Sequence, residues 1–153
     1  MAMDDYERAV ALIEDHEDEV DFDGPKSPEL IELAERAVGL RFPPTYRRFL
    51  SEYGAGNLGS TEIYGVIDED FEHSSVPDAI WLALTHPRPG LFVFYAVGEG
   101  TEFCLDTTRP ASDGEMPVVA VLPSEETQDE VASDFGNAFL MLVQEALGLD
   151  EDD

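Results

Sequence analysis

The chain of 153 residues has one cysteine, Cys104, one lysine, Lys26, and one tryptophan, Trp81. A lone cysteine excludes a disulfide within the chain and leaves no second thiolate for a structural zinc site, which suits a reducing compartment. No stretch stays apolar over the ~20 residues that a membrane-crossing helix needs. The opening Met1-Ala2-Met3-Asp4-Asp5 has neither the basic start nor the apolar run of a signal peptide. The expectation is therefore a cytoplasmic protein with no membrane partner. Positive charge is the scarcest commodity: 8 Lys and Arg stand against 35 Asp and Glu, for a formal net charge of −27. That field repels nucleic-acid phosphates and anionic lipid and speeds encounter with basic partners. No nucleic-acid partner is expected. An acidic, lysine-poor surface equally fits adaptation to high salt, and charge by itself names no ligand.

What is present suffices for a folded domain. Hydrophobic residues make up 43% of the chain, too many for a disordered polymer, and the length is that of one domain. Tyr6, Ala9, Val10 and Ile13 sit at helical spacing, with Asp4 and Asp5 as candidate caps of a helix running to about Asp18. Glu19 to Lys26 reads as an acidic turn. Ser27-Pro28-Glu29 is a strong helix start, and Gly39 fits the left-handed position at its end. Pro43-Pro44 breaks the chain before a helix from Thr45 to Tyr53, which Gly54 ends. Strand character follows at Glu62–Ile67, Leu91–Val97, Thr101–Leu105 and Pro117–Leu122, with Gly98-Glu99-Gly100 as a hairpin turn. Pro77-Asp78 can open a short helix bearing Ile80, Trp81 and Leu84. Ser133 or Asp134 caps a last helix with Phe135, Phe139, Leu140, Val143 and Leu147 inward, ended by Gly148. Helices, then strands, then a helix give an α+β fold: a largely antiparallel or mixed sheet flanked by N-terminal helices and one C-terminal helix.

Motifs for chemistry fail on their context. Gly54-Ala55-Gly56-Asn57-Leu58-Gly59 matches GxGxxG, but a helix precedes it and a strand follows, the reverse of a dinucleotide site. It reads as a helix end and turn. Glu19–Leu30 has a calcium-loop rhythm with Asp21, Asp23 and Gly24, yet it ends on Leu30 where a bidentate Glu is required. A solvated acidic loop is the plainer reading. His16, His73 and His86 lack metal-site spacing, and Cys104 lies mid-strand between Phe103 and Leu105, where a buried thiol is inert. The carboxylates are too many for any pair to be specific, and no aromatic platform marks a carbohydrate cleft. No catalytic residue, cofactor or metal site is expected.

One ordered series carries a resemblance. Ile31-Glu32-Leu33-Ala34-Glu35, Val38-Gly39-Leu40-Arg41-Phe42-Pro43 and Tyr46-Arg47-Arg48-Phe49-Leu50-Ser51-Glu52-Tyr53-Gly54-Ala55-Gly56 come first. Ile63-Tyr64-Gly65, Gly98-Glu99-Gly100, Cys104-Leu105-Asp106-Thr107, Pro117-Val118-Val119 and Ser133-Asp134-Phe135 with Phe139-Leu140 follow. This series resembles the SUKH superfamily, which includes the fungal Smi/Knr cell-wall-assembly regulators and many bacterial immunity proteins. The stretch between Tyr64 and Leu91 is shorter than that pattern, and the N-terminal helix and acidic tail add charge it does not require. The resemblance implies one SUKH-like domain over 1–153, with 1–27 an acidic N-terminal helix and loop and 148–153 an acidic tail. It also implies a non-enzymatic, protein-binding role.

The resulting expectation is an immunity protein that occludes the active surface of a polymorphic toxin, a basic domain such as a nuclease. The alternative is a regulatory or scaffold module. Tyr64, Trp81, Glu99 and Asp106, at strand ends or in the variable middle, are the expected partner-binding residues. Each has a plain structural role open to it: core packing for Trp81, a turn acid for Asp106. The sequence sets neither the partner's identity nor the oligomeric state.

Overall fold

A computed structural model describes residues 2–59, 61–69, 78–85, 90–96, 101–121 and 128–148. The helices are α1 (Ala2–Glu14), α2 (Pro28–Val38), α3 (Pro44–Glu52), α4 (Ala79–Thr85) and α5 (Phe135–Ala146). The strands are β1 (Val20–Phe22), β2 (Gly56–Leu58), β3 (Thr61–Ile63), β4 (Leu91–Ala96), β5 (Glu102–Asp106), β6 (Val118–Val121) and β7 (Gln128–Ala132). Among the described residues the strands form one antiparallel meander in chain order, β1 to β7. The architecture is α+β, as the order of elements predicts.

Local chemistry sets the helix ends. The Ser27 hydroxyl accepts from the Leu30 amide at 3.2 Å, Pro28 opens α2, and Gly39 closes it at φ 67°. Asp134 caps α5 by accepting from the Asn137 amide at 2.7 Å. The first helix differs from expectation. It begins at Ala2, so Asp4 and Asp5 lie in its first turn instead of capping it, and it stops at Glu14 before a separate 3-10 turn, Glu17–Glu19. Their negative charge still favours the helix N-terminus.

Three strands escape a reading by periodicity. Val20–Phe22 falls in the segment expected to be an acidic turn, Gly56–Leu58 in the segment read as a turn, and Gln128–Ala132 had no expectation. The first two have three residues each, too few for an alternating pattern. They exist because they pair with each other, Phe22 opposite Gly56 and Val20 opposite Leu58. Phe22 also anchors β1 through ring contacts with Tyr53 at 4.5 Å and Phe49 at 6.3 Å. Conversely, the strand expected over Glu62–Ile67 shortens to Thr61–Ile63.

The main core lies between the helices and one sheet face. Tyr46 is fully buried at its centre, with ring centroids 4.9 Å from Phe135, 5.3 Å from Phe42 and 5.7 Å from Phe92. Tyr6 of α1 stacks on Phe139 of α5 at 5.5 Å, so the N-terminal helix shares this core. Burial of each such ring contributes ~1.5–3 kcal/mol. Strand alternation sends Phe92, Leu105 and Val118 into that core and their neighbours Val93, Cys104 and Val119 to the other face, where they join Val121 in a second apolar cluster.

Candidate functional site

The residues singled out in the sequence meet different fates. Tyr64, just past β3, is half-buried and packs against both apolar clusters. Its amide donates to the Phe94 carbonyl at 2.7 Å, and its own carbonyl accepts from the Tyr46 hydroxyl at 2.9 Å. Burial, then the nearby Glu62 and Glu102 charges, push its phenol pKa up. Trp81 lies half-buried in the first turn of α4, where its amide and that of Ile80 both donate to Asp78 Oδ1, at 3.0 and 2.9 Å. Asp78 thus opens the short helix as the sequence suggested. Asp106 ends β5 and is buried. Its Oδ1 accepts from the Thr108 amide at 3.0 Å and hydroxyl at 2.6 Å, and its Oδ2 from Arg109 Nε at 2.8 Å. Burial alone would raise its pKa, but the hydrogen bonds from Thr108 and Arg109 outweigh it and hold the carboxyl below its ordinary value. Arg109 reaches on to Glu130 of β7 at 3.2 Å. Glu99 lies outside the described residues, as do His73 and His86.

Tyr64 and Asp106 border the second cluster. Tyr64 packs on it, and Asp106 stands opposite Leu91, which also packs on it. Leu82, the residue after Trp81 in the chain, packs on it as well. Cys104 is fully buried there with its thiol toward the Glu102 carbonyl. Among the described residues no group of three or more His, Cys, Asp or Glu side chains could hold a metal ion. Asp21 instead sits in β1 opposite Asn57, and Asp23 pairs with Lys26.

Indented surface among the described residues adjoins this cluster at Leu82 and Leu91 and continues around the connection from Gly39 to Pro43. A groove of about 240 Å³ runs between the end of α2, α4 and the start of β4, over Val38, Leu82, Leu84 and Leu91. A second cleft of about 550 Å³ is lined by Arg41, Phe42, Pro44, Arg47, Pro110 and Met116. A third, of about 470 Å³, is lined by Glu32, Glu35, Arg36, Arg41 and Arg47. Leu40 borders all three, so the indentations adjoin one another. Gly39 at φ 67° reverses the chain there. Glu35 then clamps it: Oε2 accepts from the Phe42 amide at 2.8 Å, while Oε1 lies 3.4 Å from Arg47. Phe42 is buried against Tyr46 and Phe92 and fixes the floor. Preformed clefts of this kind receive side chains of a partner without first paying for loop ordering.

Sequence reasoning treated Val38–Pro43 as signature and punctuation and missed it as a surface. A signal was present: four of the eight basic residues fall between positions 36 and 48.

The family model described as SUKH_6, SMI1-KNR4 cell-wall, covers residues 28–140, from the first residue of α2 into α5. The indented surface lies within that span.

Proposed function

The chain belongs to the SUKH family, and from that membership we propose that it is an immunity protein, which neutralises a polymorphic toxin by covering its active surface. The family supports a protein-interaction role, in toxin immunity or of the SMI1-KNR4 kind. The observation that carries the finer reading is a preformed, indented surface in a molecule of net charge −27. The charge accelerates encounter with a basic domain such as a nuclease, and a few buried anchors then set the lifetime of the complex. Tyr64, Trp81, Glu99 and Asp106 remain proposed contacts, Asp106 through the turn it holds in place. In this reading the chain is a single domain that acts in the cytoplasm; the packing of α1 into the same core as the matched region supports the single domain.

The test is capture from host lysate at low and high salt, followed by co-expression of the captured domain with and without this protein. A basic toxic domain that is captured less well in high salt, and tolerated only with this protein, supports immunity. Capture of host regulatory proteins with no rescue of growth points to the second reading, a regulatory or scaffold module. The description of the matched family as cell-wall favours that alternative.

A further inference from the structure

The scarce basic residues of this chain are concentrated. Arg36, Arg41 and Arg47 line one cleft. They reach it from three places: α2, the α2–α3 connection and α3. Arg47 is matched by Glu35, whose second oxygen is already taken by the Phe42 amide. Arg36 and Arg41 are exposed, and among the described residues neither has an ion pair. Beside them the adjoining cleft offers an apolar floor of Phe42, Pro44, Pro110 and Met116.

A guanidinium is a planar fork that fits a carboxylate through two parallel hydrogen bonds. Two such forks beside an apolar floor suit an acidic side chain with a hydrophobic neighbour. They do not suit a nucleic acid. A duplex carries one negative charge per ~1.7 Å, so its run of phosphates would meet Glu32 in the same cleft, Asp113 in the adjoining one and the acidic surface at large, whereas one carboxylate needs to meet only the two arginines. We propose that this arginine-lined cleft receives an acidic side chain, flanked by an apolar one, from the protein partner. The inference deepens the protein-binding reading and rests on it. Against an otherwise basic partner, one acid seated here fixes the register, because any shifted pose sets a base against Arg36 or Arg41.

Two capped peptides serve as probes, acetyl-Gly-Leu-Asp-Glu-Phe-Gly-amide and its Asn-Gln counterpart, titrated at fixed ionic strength while the arginine Nε–H signals are followed by NMR. The expected result is a shift of the Arg36 and Arg41 signals by the acidic peptide alone. Its affinity should fall about five- to twentyfold in Arg36→Glu/Arg41→Glu, and stay unchanged in Arg8→Glu, an exposed site on α1. Equal response to both peptides, equal loss in Arg8→Glu, or tighter binding of a hexathymidylate would overturn the proposal. With a captured partner the same double variant separates the two claims. Unchanged capture sinks the cleft and leaves the protein-binding reading standing, whereas no capture by the unmodified chain sinks that reading and leaves the peptide result to decide the cleft.

Discussion

Glu115 caps a helix that begins seventy residues earlier in the chain: its Oε2 accepts from the Thr45 amide at 2.9 Å and its Oε1 from the Thr45 hydroxyl at 2.8 Å. The α3 N-cap position is Pro43, which has no side-chain acceptor, so the loop before β6 supplies one. The Thr45 hydroxyl in turn accepts from the Gly136 amide at 3.1 Å, tying the start of α3 to the start of α5. Glu115→Ala leaves buried donors unsatisfied and is expected to cost ~1–3 kcal/mol, read by urea unfolding. A loss no larger than that of an exposed Glu→Ala would contradict the cap.

The same residue gives a pH signature. Burial raises the Glu115 pKa above its ordinary 4.5, only partly countered by the Thr45 hydrogen bonds. The ionised carboxylate therefore costs stability above the folded pKa, and that cost is relieved as pH falls through it toward 4.5. Relative to Glu115→Gln, the unmodified protein should gain stability on acidification across that window. Parallel stability curves would refute it.

Asp106 should behave with the opposite sign. Its carboxyl is held below the ordinary 3.8 by Thr108 and Arg109, so its contribution is present above 3.8 and lost as pH falls through the lower folded value. Asp106→Asn should be less stable than the unmodified protein at neutral pH, with the gap closing in acid. A variant as stable as the parent at pH 7 would show that the turn does not need the charge.

Two glycines separate close approach from backbone conformation. A Cβ on Gly65 would lie 1.8 Å from the Gly54 carbonyl oxygen, whereas one on Gly39 meets nothing within 4 Å but must adopt φ 67°. Gly39→Ala should cost ~1–2 kcal/mol. Gly65→Ala should cost ~3 kcal/mol or more, since backbone itself must move. Similar melting temperatures for the two variants would refute this ranking.

Lys26 is a half-buried tie rather than a free surface charge. Its side chain is only 11% exposed, its ammonium pairs with Asp23, and it donates to the Ile67 carbonyl at 2.8 Å. Acetic anhydride should modify it far more slowly in the native protein than in denaturant, measured by mass spectrometry. Equal rates would mean the tie does not persist in solution.

A net charge of −27 on one small domain implies self-repulsion. Raising NaCl shortens the screening length from ~30 Å at 0.01 M to ~3 Å at 1 M. The melting temperature should rise with salt and not with an uncharged solute at equal osmolality. A flat response would mean that the charges are spaced widely enough not to oppose folding.

The sequence by itself determined what local chemistry enforces. Ser27-Pro28 and Gly39 bound α2, an acceptor at Ser133 or Asp134 starts α5, and the apolar run from Leu91 is a strand, because caps, glycine φ and side-chain spacing act within a few residues. Only tertiary structure decided what depends on distant partners. Val20–Phe22 and Gly56–Leu58 are strands because each supplies the other's backbone hydrogen bonds. Glu115 caps α3 because the chain folds back over seventy residues to present an acceptor to an amide that Pro43 could not satisfy. Arg36, Arg41 and Arg47, at no shared period, meet in one cleft because Gly39 turns the chain and Glu35 clamps it.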